Sequence, residues 1–316
     1  MDVSVVIPAY NEAERLPRLL DDLTHQRGVR PEIILADAHS TDGTREVATS
    51  YGATVVDGGM PAAGRNAGGR VAGGEVVVFL DADVRIPRSF LRNALREMEK
   101  KGAVVATCLA KPMSDLTADK VIHTIANLFV RMNQDRDPHA PGYCILVRRD
   151  VFHAIGGFDE DIEVAEDHDF VSRASRHGKF RFLDSTHVKV DVRRFEKEGR
   201  LGYSAKALQI TLHRAIHGEI TDSDAFEYEF GNYEAEDTSS RKKALRAVEQ
   251  GLLKADHQVR KLENRLWSRR ASAELQGQAE RLFEDVTRRL QSAGRALFSL
   301  NTTDEERPNT EESGRQ

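Results

Sequence analysis

Two cysteines in 316 residues, Cys108 and Cys144, are too few for a disulfide framework, and they form no CxxC pair. Both lie in apolar stretches, so buried, reduced thiols in a cytoplasmic setting are expected. No run approaches the roughly 18 apolar residues of a membrane-spanning helix. The opening residues, MDVSVVIPAYNE, place no charged leader before an apolar stretch, so no signal peptide is expected. Two phosphate-gripping motifs are also missing: GxxxxGK[ST], and GxGxxG after the first strand. A nucleotide would need another grip. The formal charge of −5 argues neither for nor against nucleic acid, and no nucleic-acid partner is expected.

What is present is alternation. Apolar, β-branched runs at 3–8, 32–37, 53–57, 75–81 and 103–109 read as strands buried on both faces. Helical patterns fill 12–26, 42–51, 62–72 and 87–101 between them. Repeated strand–helix–strand units imply an α/β fold around a mostly parallel sheet with right-handed crossovers. A helix follows at about 115–133, then YCILVRRDVF as a strand entering a helix, then EDHDFVSRASRHG as a helix ending at Gly178.

A third region begins near 222. The stretch 222–237 holds seven acids and no base, and reads as part of an acidic linker over 222–240. From Arg241 to Leu300 there are 14 Lys plus Arg against 7 Asp plus Glu. Leu245, Val248, Leu252, Ala255, Val259, Leu262 and Leu266 step by three and four, the seam of a helical hairpin or coiled coil. The same basic helices also fit an anionic membrane surface, by peripheral contact from the cytoplasmic side. The polar tail 301–316 reads as disordered.

In an open parallel sheet, ligands bind beyond the carboxyl ends of the strands. PAYNE follows the first strand, DAHSTDGT the second and DAD the fourth. Asp81 and Asp83 flank Ala82, and residues i and i+2 of a turn can face one side. Two carboxylates there repel one another unless a cation sits near them, and Mg2+ or Mn2+ suits such oxygen ligands. Two acids in a turn are common in themselves; it is their place after VVVFL that singles them out. Arg65, in GRNAGGR, supplies a fixed positive charge suited to phosphate oxygens among small residues that permit close approach.

Four ordered segments, VSVVIPAYNEAERLPRLLDDL, DAHSTDGT, GRNAGG…GGEVVVFLDADV and GGFDED…EDHDF, resemble the family 2 glycosyltransferases, inverting enzymes with a GT-A fold. The resemblance covers about residues 2–200. It implies a transferase domain over 1–221, with a nucleotide-binding half to about 110 and an acceptor half from 111. By the same resemblance Pro8, Ala9, Tyr10 and Glu12 line the nucleotide pocket, and Asp37 accepts from the base. Relatives commonly carry an acid or glycine at 38 and often glycine at 39, where this chain has Ala38 and His39. Asp42 is read as a helix N-cap. Asp81 and Asp83 hold Mg2+ or Mn2+ on the donor diphosphate, with His187 or Asp191 completing the shell. Asp167 is the base, Glu166 orients it or binds the acceptor, Asp169 belongs to the first helical turn, and Arg194 approaches the diphosphate.

The expected activity is metal-dependent transfer, with inversion, from a nucleotide-sugar, UDP-sugar favoured, to a hydroxyl on a lipid-linked or cell-surface glycan. A retaining transferase, a nucleotidyltransferase or a non-catalytic nucleotide-binding scaffold is the alternative on the same fold. Self-association or membrane contact would run through 241–300.

Overall fold

In the computed structural model, residues 2–162 and 164–193 are described. Arg194, the acidic stretch 222–240, the helical hairpin or coiled coil expected over 241–300 and the tail 301–316 lie outside the described residues.

The first four strands are β1 (Val3–Ala9), β2 (Glu32–Asp37), β3 (Thr54–Asp57) and β4 (Val76–Leu80). Between them run α1 (Leu16–Thr24), α2 (Thr44–Ser50) and α3 (Pro61–Val71). Then come α4 (Phe90–Lys101), β5 (Ala103–Pro112), α5 (Thr117–Asn133), β6 (Cys144–Arg148), α6 (Arg149–Ala154), α7 (Glu166–Ser175) and β7 (Lys179–Val190). One seven-stranded sheet has the order β3-β2-β1-β4-β6-β5-β7. Only β6 reverses direction, antiparallel to both β4 and β5.

The sheet is covered on both faces, which is why its central strands are apolar almost throughout. All five residues of β4 are buried. Val76, Val78 and Leu80 pack on one side with α1 and α4, and Val77 and Phe79 on the other with α6 and α7. Cys108 and Cys144 are free, buried thiols with Sγ atoms 3.7 Å apart. That contact and burial push the Cys144 thiol well up.

Helix α1 begins at Leu16 rather than at 12. Asn11 takes φ 52° and residues 12–16 close a turn, with Leu16 N–H donating to Glu12 O at 2.9 Å. Strand β7 has no counterpart in the sequence reading, because its apolar run is broken. A bulge separates Leu183 from His187, and Glu97 holds its loop by accepting the N–H groups of Asp184 and Ser185 at 3.0 and 2.8 Å.

Strand direction sets up the site. Ala9 pairs with Asp37 and Asp37 with Asp57, so the carboxyl ends of β1, β2 and β3 are level. Because β6 runs backwards, its first residue, Cys144, lies opposite Leu80. The loop that precedes β6, with Gly142, therefore arrives at the same edge as the acids after β4.

Candidate active site

The loops after β1 and β2 lock together through short polar side chains. Asn11 N–H donates to Ser40 Oγ at 2.8 Å, and Thr41 N–H to Asn11 Oδ1 at 2.9 Å. Asp42 accepts the N–H groups of Ala13 and Thr44 at 3.0 and 3.1 Å. The N-cap of α2 is Gly43, at φ 90°, so Asp42 does not occupy the expected cap; it ties α2 to the β1 loop from one residue earlier. Glu12 N–H is held by Thr44 Oγ1 at 2.9 Å.

Asp37 is fully buried at the end of β2. Its Oδ2 accepts from Ser40 N–H and from the Arg45 guanidinium, each at 3.2 Å, which is turn capping. Its Oδ1 has no hydrogen-bond partner among the described residues. A buried carboxylate oxygen left without a donor is costly, and an N–H of a bound base would satisfy it. Nearby, Ala9 is buried, Pro8 is half-buried and Tyr10 is exposed. Gly64 of α3 lies against Pro8.

The second group of acids converges on Arg65. This guanidinium is 4 % exposed and makes ion pairs with Glu166 Oε1 at 2.6 Å and Asp81 Oδ1 at 3.4 Å. Arg65 was expected at phosphate; here its Nη1 and Nη2 meet carboxylates, while Nε has no partner among the described residues, so it holds acids from distant parts of the sequence together. Beneath it lies the Phe158 ring, 5.4 Å from Cζ. Phe158 stacks on Phe170 at 3.9 Å, and Phe79 meets both edge-on. The charges thus sit on an apolar floor, where attraction between them is strengthened.

Asp167 sits beside Glu166 in the first turn of α7, its side chain 16 % exposed. Burial and the Glu166 carboxylate push its carboxyl up to about 7, against the opposing pull of Arg65. A carboxylate poised there suits proton abstraction near neutral pH. Asp169 is committed elsewhere, paired with Arg173 at 2.6 Å. Arg173 in turn donates to Ile155 O and Gly157 O, steadying the GGFDED loop.

Asn66 and Gly142 were not singled out by sequence reasoning. Asn66 is buried and clamps the GGFDED loop from α3. It donates to Phe158 O at 2.9 Å and Glu160 Oε1 at 2.7 Å, and accepts Phe158 N–H at 2.8 Å. Its signal was its place beside Arg65 in a helix of small residues. A Cβ on Gly142 would stand 2.5 Å from Arg65 Nη2 and 3.2 Å from Asp167 Oδ2, so a larger residue there would push the Arg65 guanidinium from its place.

Among the described residues, the non-glycine residues with positive φ are Asn11, His39 and Ala165. Each stands in a loop at this edge, and Ala165 directly precedes Glu166. Such backbone costs on the order of 1 kcal/mol or more apiece and gathers at functional sites. His39, at φ 61°, occupies the position where relatives often carry glycine.

His187 lies on β7 beyond the bulge, paired with Leu109. Burial and then Lys111 and Lys189 hold its imidazole toward the neutral form. It does not join Asp81 and Asp83: no group of three His, Cys, Asp or Glu able to hold a metal occurs among the described residues. Among the described residues His187 is thus not assembled with Asp81 and Asp83 as a third ligand, and Lys111 and Lys189 lie near enough to disfavour its charged form.

Residues 4–156 match the family described as Glycosyl transferase family 2. The chain carries a family 2 glycosyltransferase domain. Among solved structures, a mannosyltransferase of Pyrobaculum calidifontis, in complex with GDP-Man and Mn2+, superimposes with a TM-score of 0.56 at 19% identity. That match covers 96% of this chain and 88% of the other. S. aureus TarS 1-349 in complex with UDP-GlcNAc gives 0.50 at 19% identity, covering 73% of this chain and 77% of the other. At such identity these likenesses establish the GT-A fold. Glycosyltransferase AglE of Haloferax volcanii is 26% identical over 191 residues, 56% of this chain and 62% of its own length. A 4,4'-diaponeurosporenoate glycosyltransferase of Staphylococcus haemolyticus is 37% identical over 102 residues, 29% of this chain and 27% of its own length. The chain thus spans less than two thirds of these curated relatives.

Whether the glycosyltransferase domain suits a divalent cation can be judged from its donors. Asp81 is 37 % exposed on its side chain, and Asp83, two residues on, is half-buried. Both offer hard oxygen atoms. Mg2+ and Mn2+ accept one or two protein carboxylates when substrate phosphate oxygens and water fill the remaining positions. The pair fits.

Proposed function

We propose that this glycosyltransferase domain moves a sugar from a nucleoside-diphosphate sugar to an acceptor hydroxyl in a single displacement with inversion. The observation that carries the reading is the convergence on Arg65 of Asp81, at the end of β4, with Glu166, beside Asp167 at the start of α7. A donor-side acid and a base-side acid are thereby fixed against one cation.

The donor base would lie over Pro8 and Ala9 with Tyr10 and Glu12 at its rim, its N–H directed at Asp37 Oδ1. That oxygen suits the imide N–H of uracil, which favours UDP-sugars. Asp81 and Asp83 would hold Mg2+ or Mn2+, which neutralises charge on the departing nucleoside diphosphate when bound. Asp167 takes the proton from the acceptor hydroxyl. The acceptor oxygen bonds to the anomeric carbon from the side opposite the diphosphate, whose bond to that carbon breaks. Glu166 keeps Asp167 basic by its charge, and Arg65 keeps both acids in place. Arg194 is assigned to the diphosphate as the resemblance implies.

A lipid-linked or cell-surface glycan is the proposed acceptor class, as the family resemblance implies. The basic helices 241–300 are the proposed site of self-association or peripheral membrane contact. No helix among the described residues is long and apolar enough to cross a membrane.

The test is a donor panel of UDP-, GDP- and dTDP-sugars with Mg2+ or Mn2+, reading nucleoside diphosphate release. Release with one base, abolished by Asp83→Ala, is expected, and NMR of the product should show an inverted anomeric centre. Pyrophosphate release, or retention of configuration, would replace this reading; no turnover or binding of any donor would end it.

A further inference from the structure

Among the described residues, six cations line one flank of the domain without a carboxylate partner. Arg88 precedes α4, and Arg92, Arg96 and Lys100 continue the row at four-residue steps along that helix. Residues so spaced share a helix face. Arg27 and Arg30, in the loop after α1, join them. That loop is fastened to the start of α4: Arg27 N–H donates to Arg88 O at 2.7 Å, Gln26 Nε2 to Pro87 O at 3.0 Å, and Leu91 N–H to Gln26 Oε1 at 3.0 Å. Gly28, at φ 74°, passes close to Arg92 Cδ.

Among the described residues none of the six side chains makes an ion pair or hydrogen bond, and Arg92 Nε is without a partner. Arg92 is half-buried; the other five are exposed. The acids of α4 do not answer them. Glu97 is taken by Lys101 and the β7 loop, and Glu99 makes no ion pair.

Such a row works against the fold. Like charges four apart on a helix cost roughly 0.2–0.5 kcal/mol per pair. Arg88 and Arg92 stand at the helix N-terminus, where the macrodipole favours anions. Only Lys100, in the last turn, is favoured by it. The described residues gain nothing from the row, so its negative counterpart lies beyond them. From Arg92 to Lys100 the row extends about 12 Å on a rigid helix, with Arg88 and a second segment broadening its N-terminal end. Guanidinium groups match phosphate oxygens in pairs. The six carry no exposed aromatic neighbour in their own segments for bases to stack on, which single-stranded nucleic acid would use.

We propose that this arginine face seats the domain on an anionic lipid surface, whose headgroup phosphates supply the missing charge. The inference concerns where the enzyme stands, and it is independent of the reaction assigned above. Its test reads no turnover.

The full chain would be sedimented with vesicles of phosphatidylcholine containing roughly one-third phosphatidylglycerol, and with pure phosphatidylcholine. Binding to the mixed vesicles alone, weakening with salt, is expected. An Arg92→Gln/Arg96→Gln pair should partition about tenfold less or weaker still, since each surface cation contributes on the order of 1 kcal/mol at an anionic leaflet. An Arg92→Lys/Arg96→Lys pair should stay within about threefold of wild type, because charge is kept. The glutamine pair should melt no lower than wild type, as repulsion is relieved; if it unfolds, Arg96→Glu alone, at an exposed position, carries the same test. Wild-type partitioning by the glutamine pair, equal binding to neutral vesicles, or binding to polyuridylate with none to vesicles would overturn the proposal.

Discussion

The acids on the β1–β2 side of the sheet edge and those on the α7 side are held by different means. Asp37 is fixed by Ser40 and Arg45, three and eight residues away, and Asp42 by Thr44, two away, and by Ala13 in the adjoining loop. Glu166 is fixed by Arg65, 101 residues away, and the loop before α7 by Asn66, 92 residues from Phe158. One side is assembled as the chain leaves each strand. The other exists only once β6 has inserted between β4 and β5 and brought Gly142 under Arg65. Damage to the first side should therefore stay local and appear in donor binding. Damage to the second should reach several acids together and appear in turnover and its pH dependence.

The largest effect is expected at Asp167. Asp167→Asn should lower turnover about 10³-fold, within the range of a lost general base, with donor KM little changed. Wild-type turnover should rise with pH through about 7, as this carboxyl loses its proton. Stability runs the other way. The folded-state value lies above the ordinary carboxylate value of about 3.9, so folding favours the protonated form. That contribution is fully present below about pH 4 and is lost as pH rises through about 7. The variant, neutral throughout, should melt above wild type at pH 8 and close to it at pH 4, as calorimetry can check. Unchanged turnover would remove Asp167 from the mechanism.

Arg65 tests whether the long-range side behaves as one unit. Arg65→Gln should cost about 10²-fold in kcat/KM and move the rising limb of the pH profile upward, because the cation that opposes the rise of the Asp167 carboxyl is gone. Arg65→Lys should recover part of the rate. Gly142→Ala, whose Cβ would collide with Arg65 Nη2, should reproduce the defect without altering any charge. Were Arg65 a phosphate contact alone, the loss would fall on donor KM and the limb would not move.

Much of the first half was legible because its signals are contiguous. β-branched runs marked β1, β2 and β4, and the acids that follow them announce the sheet edge. The mostly parallel sheet was expected, and the structure has it. The second half was harder to read for a physical reason. In YCILVRRDVF nothing reveals that β6 runs antiparallel, because a strand buried on both faces looks the same in either direction. β7 mixes Lys, Arg, Asp and His into its apolar pattern, and its bulge shifts the period. The acids of α7 were visible by resemblance, but their partner was not. No local feature of GRNAGGR says that its arginine meets a glutamate 101 residues on, or that its asparagine clamps GGFDED.

Glu97 separates support of the second half from its chemistry. It lies on α4, away from the reacting groups, and hydrogen bonds from the β7 bulge and Lys101 outweigh burial to hold its carboxyl down at about 2. Folding here favours the charged form. The stabilisation is present above the ordinary glutamate value of about 4.3 and is lost as pH falls through about 2. Glu97→Gln should cost about 2 kcal/mol at neutral pH, as expected when a charge-assisted set of bonds is weakened. The difference from wild type should vanish in acid denaturation near the bottom of that window. Turnover at temperatures where the variant remains folded should hold, which distinguishes scaffold from site.

Asp37 should give the smallest effect and the sharpest contrast. Its Oδ2 is already satisfied by Ser40 and Arg45, so a substitution that keeps the side chain's shape leaves the turn closed. With the remaining oxygen on Ser40 and Arg45, Asp37→Asn replaces the oxygen that has no partner among the described residues with an amide NH2, which cannot accept from the base. The interaction lost is one charge-assisted hydrogen bond to the base, about 1.4 kcal/mol, or a tenfold rise in donor KM. kcat and the pH limb set by Asp167 should stay where they are, because no hydrogen bond or ion pair among the described residues joins Asp37 to Arg65. A cytidine-diphosphate donor, whose ring nitrogen at that position accepts instead of donating, should lose its disadvantage against the uridine donor in the variant. If Asp37→Asn instead lowered kcat and moved the pH limb, the two sides of the edge would be coupled, and the separation between local binding and long-range catalysis would have to be abandoned.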